Sequence, residues 1–249
     1  MDNQVVLGLE ERLDDLLIGK LKIIQHEKEF CFSLDAVLLS HFATVRPGAK
    51  AVDLGTGTGV ISLILATRGI GHVTGLELSQ SMAAMASRSV NLNKLDEKVT
   101  IMQGDLCKVK DIFSSDGYDL VVSNPPYRPV GGGHINPNDK VAMARHEVTA
   151  TLEDVINAAR YLLKYRRGRF AMVHLPERMA EILTIMSQAG IEPKRLQLVY
   201  SSIDKKPTML LVEGIRGANP GLEVLPPLIV YKSDGSYSEE IMKYYKEYR

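Results

Sequence analysis

The stretch SNPPYRP, Ser123 to Pro129, sets two hydrogen-bond acceptors beside an aromatic ring. Asn124 brings a side-chain amide oxygen, and Pro125 leaves its backbone carbonyl exposed. Prolines fix φ and donate no backbone hydrogen bond, so Asn124-Pro125-Pro126-Tyr127 is expected to form a stiff, non-helical turn. Two rigid acceptors suit the two N–H bonds of an exocyclic amine or an amide. Such a nitrogen is a poor nucleophile because its lone pair is delocalised into the neighbouring π system. It needs alignment and a push toward tetrahedral geometry more than it needs a strong base. Tyr127 offers a flat face on which a planar group, including a base turned out of its stack, can rest. A proline-stiffened connector would have the same composition, so the meaning of the turn depends on the rest of the chain.

A second set of residues supplies that context. VDLGTGTG places Gly55, Gly57 and Gly59 between a strand-like run and a helix-like one, where glycine lets a ligand approach the main chain closely. The spacing is G-x-G-x-G rather than the G-x-G-x-x-G of dinucleotide dehydrogenases, and Asp53 stands two residues ahead of the first glycine. A carboxylate there repels a pyrophosphate and attracts the sulfonium or ammonium of S-adenosylmethionine. Glu77 closes the next strand-like run, where it can accept hydrogen bonds from both ribose hydroxyls. Asp105 closes the one after, where it can accept from an adenine amino group. Each acid alone reads equally as a helix cap or a solvated loop residue. Three at successive strand ends, together with the glycine loop, read as a cofactor site, because ligands of open α/β sheets lie across the carboxyl ends of the strands.

The elements that must position these residues follow from periodicity. KAVDL (50–54), GHVTGLEL (71–78), KVTIMQGD (98–105), YDLVVSN (118–124) and GRFAMVHL (168–175) read as strands. Helices are expected over 60–68, around Met82 to Val90, over 151–163 and over 178–189, the last stopped by Gly190. Two late runs, 195–201 and 207–215, have no helix-length segment between them and should pair antiparallel at a sheet edge. The alternation predicts an α/β fold with a doubly wound, mostly parallel sheet. Before residue 50 the runs LIGKLKIIQ (17–25) and EFCFSL (29–34) are expected to form a hairpin, followed by a helix from Asp35 to about Val45. Residues 1–48 are therefore read as a hairpin-helix extension packed on a catalytic domain of residues 49–249, which ends in a tail helix docked by tyrosines.

Composition bounds the function. The 249 residues are 45% hydrophobic, enough for a full core without disulfides. Cys31 and Cys107 are far apart with no metal-ligand spacing, so no metal site is expected, and a reducing cytoplasm fits. The acidic N-terminal stretch carries no signal-peptide pattern, and no apolar run reaches membrane-spanning length, so the expectation is a cytoplasmic chain without a membrane partner. Thirty basic and thirty acidic residues cancel, so any contact with nucleic acid must come from a local patch.

VDLGTGTG, GLEL, GD and NPPY, in this order and spacing, resemble the class I S-adenosylmethionine-dependent methyltransferases over roughly Leu34 to Gly214. The resemblance implies a seven-stranded, Rossmann-like sheet whose last strand in sequence is antiparallel. It places Asp53, Gly55 and Gly57 beside the methionine part of the cofactor, Glu77 and Leu78 at the ribose, and Asp105 with Leu106 at the adenine. Asn124 would then border the transferred methyl as well as grip the acceptor nitrogen, with Pro125 and Tyr127 completing the catalytic set. In that family NPPY marks transfer to a planar nitrogen, either adenine N6 or the glutamine amide of release factors. Release-factor enzymes carry a sizeable helical N-terminal domain, and the short extension here favours nucleic acid. FSLDAVLLSHFA (32–43), ARHE (144–147) and DKKPTMLLVEG (204–214) are similar to the bacterial enzymes that N6-methylate an adenine in the anticodon loop of a valine tRNA. On that reading Pro126, Tyr127, Arg128, Lys205 and Lys206 would meet the tRNA substrate. The cluster Lys164, Arg166, Arg167 and Arg169 is either a further RNA contact or a solvated turn. The loop 131–140 is either a cover over the substrate or a connector. His134 and His146 are expected to be structural or RNA-contacting, since the transfer needs no general base. A cofactor-binding partner protein without activity is disfavoured because both Asn124 and Tyr127 are present.

Overall fold

The order of strands in space departs from their order in the chain, and that departure creates the site. The structure is a computed structural model and describes residues 7–27, 34–127 and 150–246. Seven long strands form the sheet: β3 (Lys50–Leu54), β4 (His72–Glu77), β5 (Val99–Gln103), β6 (Leu120–Ser123), β7 (Arg169–His174), β8 (Ile191–Tyr200) and β9 (Pro207–Arg216). Their order is β5-β4-β3-β6-β7-β9-β8. Neighbours from β5 to β7 are parallel, whereas β9 is antiparallel to both β7 and β8. The two late runs do pair antiparallel, but β9 inserts between β7 and β8, which leaves β8 outermost of the long strands. Two-residue strands β10 (Glu223–Val224) and β11 (Leu228–Ile229) run parallel along β8 and cover part of its open edge.

Alternate side chains of each strand serve opposite faces. Ala51, Leu120, Val122, Ala171, Val173 and Leu211 pack on one side with α1 (Leu34–Phe42) and α2 (Val60–Thr67). Val52, Val121, Phe170, Met172, Leu210 and Val212 pack on the other. Their partners there are α4 (Val109–Ile112), α5 (Leu152–Leu162) and α6 (Met179–Gln188). This period-two division is the signature of strands buried on both faces. Helix α3 (Gln80–Leu92) starts at Ser79, whose hydroxyl accepts from the Met82 N–H. Helix α5 starts with a reciprocal Thr151–Asp154 capping box.

The N-terminal hairpin differs from the expected one. Its first strand is β1 (Glu11–Asp15), and its second is β2 (Lys22–His26), paired from Glu11↔His26 to Asp15↔Lys22. The acid-rich ERLDD lacks a strand-like apolar alternation, which concealed it, and the turn between the strands bends at Leu17, Gly19 and Lys20, all with positive φ. Most of the run EFCFSL lies outside the described residues. The hairpin sits on α3: the Ile24 N–H donates to Ser89 Oγ (3.0 Å), the Lys22 N–H donates to Asn93 Oδ1 (2.9 Å), and Arg88 pairs with Glu11 (2.6 Å). At the other end of the chain, α7 (Glu239–Lys246) buries Ile241 and stacks Tyr244 on His41 of α1, with ring centroids 4.3 Å apart.

Candidate active site

Strand order reverses at β3, which has β4 on one side and β6 on the other. A crevice opens at such a switch point beyond the carboxyl ends of the strands. The loop leaving β3 turns through three glycines in the left-handed region, Gly55 (φ 72°), Gly57 (φ 58°) and Gly59 (φ 94°). It thereby folds Thr56 back over Asp53. Asp53 is fully buried: one oxygen accepts from Thr56 Oγ1 (2.6 Å) and Ser62 Oγ (2.9 Å). Its other oxygen, Oδ1, is buried with no hydrogen-bond partner among the described residues. Burial pushes the carboxyl up to about 6, with Glu77 nearby adding to it, against the Thr56 and Ser62 hydroxyls and the Ser62 N–H, which hold it down. A buried acceptor left open costs about 1–3 kcal/mol, and more when charged. An arriving cation removes that cost, so the orphaned oxygen fits the sulfonium and ammonium charges of S-adenosylmethionine.

Glu77, at the end of β4, is buried, with Oε2 accepting from the Gly57 N–H (2.9 Å) and Oε1 from the Ser79 N–H (2.8 Å). These bonds fix the carboxylate, and each oxygen keeps a second lone pair for a ribose hydroxyl. Leu78 next to it is 40% exposed. Asp105 follows β5, and its Oδ1 accepts from the Cys107 N–H (2.9 Å), capping the short 3₁₀ turn Leu106–Lys108. The Asp105 side chain is half-exposed. In the strand register Asp53 lies opposite Gly75 and Glu77 opposite Gln103, so each acid stands two residues further along than the one before, on a diagonal across the ends of β3, β4 and β5.

On the far side of β3, Leu54 pairs with Ser123, and the Ser123 hydroxyl donates to the Leu54 carbonyl (2.9 Å). That pairing puts the start of the NPPY turn against the glycine loop. Pro125 is buried, Pro126 is exposed, and Asn124 and Tyr127 are half-buried. The Tyr127 hydroxyl meets both Asp35 Oδ2 and Asn124 Oδ1, the latter at 2.9 Å. Burial first, and the adjacent Asp35 second, raise the Tyr127 phenol well above its ordinary range, so it keeps its proton. His174, almost fully buried at the end of β7, sets its ring 5.3 Å from that of Tyr127 at 59°. Burial and the nearby Arg178 push His174 down to about 4, so it stays neutral at pH 7.

Asp35 and His174 were not singled out by sequence reasoning. Asp35 lies 92 residues before Tyr127, where the helix expected from Asp35 to about Val45 begins. His174 could have been noticed as the polar residue that ends β7. Lys205 and Lys206 are exposed in the turn from β8 to β9. Since β8 runs in the same direction as β7, that turn shares the crevice edge of the sheet. Lys164, Arg166 and Arg167 precede β7 and Arg169 is its first residue, so all four lie at the opposite edge. There Lys164 pairs with Asp119 (2.8 Å) and Arg169 with Glu213 (2.6 Å). Arg128, the loop 131–140, His134, His146 and the stretch 144–147 lie outside the described residues. Among the described residues no group of three or more His, Cys, Asp or Glu could hold a metal ion, and no helix is long and apolar enough to cross a membrane.

Comparison with known proteins places this arrangement. The methyltransferase small domain family matches residues 33–180. The tRNA1(Val) (adenine(37)-N6)-methyltransferase of Porphyromonas gingivalis is 30% identical over 219 residues, 84% of either chain. Its counterpart in Bacteroides thetaiotaomicron is 28% identical over 86% of this chain and 88% of its own. A predicted O-methyltransferase from Agrobacterium tumefaciens superimposes with a TM-score of 0.70 over 86% of this chain and 96% of its own, at 20% identity, which speaks to the fold. With the strand order, the glycine loop and these relatives together, the chain belongs to the methyltransferase small domain family, whose fold here is that of the class I S-adenosylmethionine-dependent methyltransferases.

Proposed function

We propose that this chain transfers a methyl group from S-adenosylmethionine to the exocyclic N6 of an adenine in the anticodon loop of a valine tRNA. The observation that carries the chemistry is the β3–β6 pairing, which sets Asn124 and the Pro125 carbonyl beside the loop of the buried, half-satisfied Asp53. The names of the relatives supply the substrate class. Held at the ends of β3, β4 and β5, S-adenosylmethionine would supply a sulfonium methyl to the amine lone pair and would leave as the neutral thioether. Asp53 would face its positive charge, Gly55 and Gly57 would admit the methionine part, Glu77 and Leu78 would hold the ribose, and Asp105 with Leu106 would hold the adenine. Asn124 Oδ1 and the Pro125 carbonyl accept the two N–H bonds and aim the lone pair, and the proton released from nitrogen passes to solvent. Tyr127 supports the flipped base, while Pro126, Arg128, Lys205 and Lys206 border the RNA path.

The test is incubation with labelled cofactor and either bulk unmodified tRNA or a release factor. Label is expected in tRNA as N6-methyladenosine. Label confined to the release factor would reassign the turn to a glutamine amide, and methylguanosine would refute the role given to Asn124.

A further inference from the structure

The Tyr127 hydroxyl carries one hydrogen, yet two acceptor oxygens face it, Asp35 Oδ2 and Asn124 Oδ1. Asp35 makes the closer contact, and a carboxylate outcompetes an amide oxygen for a hydroxyl proton. It is itself buried, at 5% exposure, and its other oxygen accepts from the Ala36 N–H (2.8 Å), which fixes its direction. With the Tyr127 O–H directed at Asp35, an Asn124 carbonyl oxygen 2.9 Å from the phenol oxygen would set lone pair against lone pair. The oxygen and nitrogen of an amide are interchangeable in shape, and turning the group over resolves the conflict. Nδ2 then donates to the phenol oxygen, and Oδ1 faces the crevice alongside the Pro125 carbonyl.

We propose that Asp35 is a positioning residue for methyl transfer: by accepting the Tyr127 O–H bond it leaves the phenol oxygen to act as an acceptor, and this orients the Asn124 amide oxygen toward the substrate nitrogen. The same bond anchors the Tyr127 ring against His174. Without Asp35 the hydroxyl donates to Asn124 Oδ1 and occupies the acceptor the amine needs. The inference rests on the transfer to a planar nitrogen proposed above.

This arrangement has an uncommon genetic signature. Asp35→Leu lowers kcat by about ten- to a hundredfold, the loss expected for one misdirected acceptor, with cofactor affinity by calorimetry unchanged. Adding Tyr127→Phe to that variant removes the competing donor and restores part of kcat, so the double variant is more active than Asp35→Leu. Asp35→Asn keeps a neutral acceptor of the same shape and falls between wild type and Asp35→Leu. If Asp35→Leu does not fold, the pair Asp35→Asn and Asp35→Asn/Tyr127→Phe carries the comparison. A double variant no better than its Asp35 parent, or an Asp35→Leu kcat within about twofold of wild type, overturns the proposal. A second measurement is independent of turnover. In the unliganded protein the Asn124 side-chain amide protons should be exchange-protected and shift on Tyr127→Phe, and an unchanged amide signal also overturns it. Wild-type protein that methylates no adenine sinks the functional reading instead, and the amide signal still decides the orientation.

Discussion

Asp53 is the residue whose environment makes the sharpest statement about the ligand. Its pKa of about 6 in the folded chain, against 3.8 for the free group, means that the native state binds more protons than the unfolded chain between those values. The stability of the empty protein therefore falls as pH rises from about 4 to about 6, and burial of the bare charge is complete above that. Cofactor affinity runs the other way, because a cation prefers the ionised carboxylate. Calorimetry should show S-adenosylmethionine affinity level above pH 7 and falling by about tenfold per unit below 6, with Asp53→Asn weaker throughout and flat across that window. A pH-independent affinity in wild type would remove Asp53 from the cation site. Asn124 separates chemistry from binding. Asn124→Ala should lose at least about a hundredfold in kcat while keeping cofactor affinity within a few-fold, because among the described residues its side chain bonds Tyr127 and none of the cofactor-site acids. Loss of cofactor binding in that variant would show the residue to be structural.

Elements turn these residues into a site, and β4 shows how closely. Gly75 lies opposite Asp53 in the β3–β4 register. A Cβ there would come within 2.9 Å of Thr56 Cγ2 and 2.8 Å of Ile101 Cδ1. Thr56 is the side chain that bonds Asp53, so the absence of a side chain at 75 makes room for the carboxylate's support. Gly75→Ala should cost about 1–3 kcal/mol by overpacking and also weaken cofactor binding, read by thermal melting and calorimetry on the same protein. Unchanged affinity would show that Thr56 yields without disturbing Asp53. The strands that hold these residues were legible because they are short apolar runs punctuated by glycine, and KAVDL matches β3 residue for residue. Strand β1 was not legible: ERLDD has one apolar residue in five, and its pairing depends on partners elsewhere, such as Arg88 for Glu11.

At the scale of the molecule, strand order decides which charges can meet a substrate. Lys205 and Lys206 follow β8, whose carboxyl end shares the edge of β6 and β7, so they stand on the crevice side. Arg166 and Arg167 precede β7 and stand on the other edge. With a chain of zero net charge, location has to substitute for overall attraction. Lys205→Ala/Lys206→Ala should raise the KM for tRNA and flatten the slope of log affinity against log salt by about 1.4–1.8, the value for two lost phosphate contacts. Arg166→Ala/Arg167→Ala should leave both within about twofold. The reverse pattern would move the RNA to the opposite edge.

The sequence by itself determined the local chemistry. Rigid acceptors at NPPY, close approach at the glycine loop and carboxylates at strand ends follow from residue types and short spacings, which depend on nothing distant. Only the tertiary structure decided which of these residues are neighbours. The insertion of β6 beside β3 joins Asn124 to the Asp53 loop, and the packing of α1 brings Asp35 to Tyr127 across 92 residues. Long-range pairings of this kind are selected by the burial of two sheet faces together, a property of the whole core rather than of any segment of it.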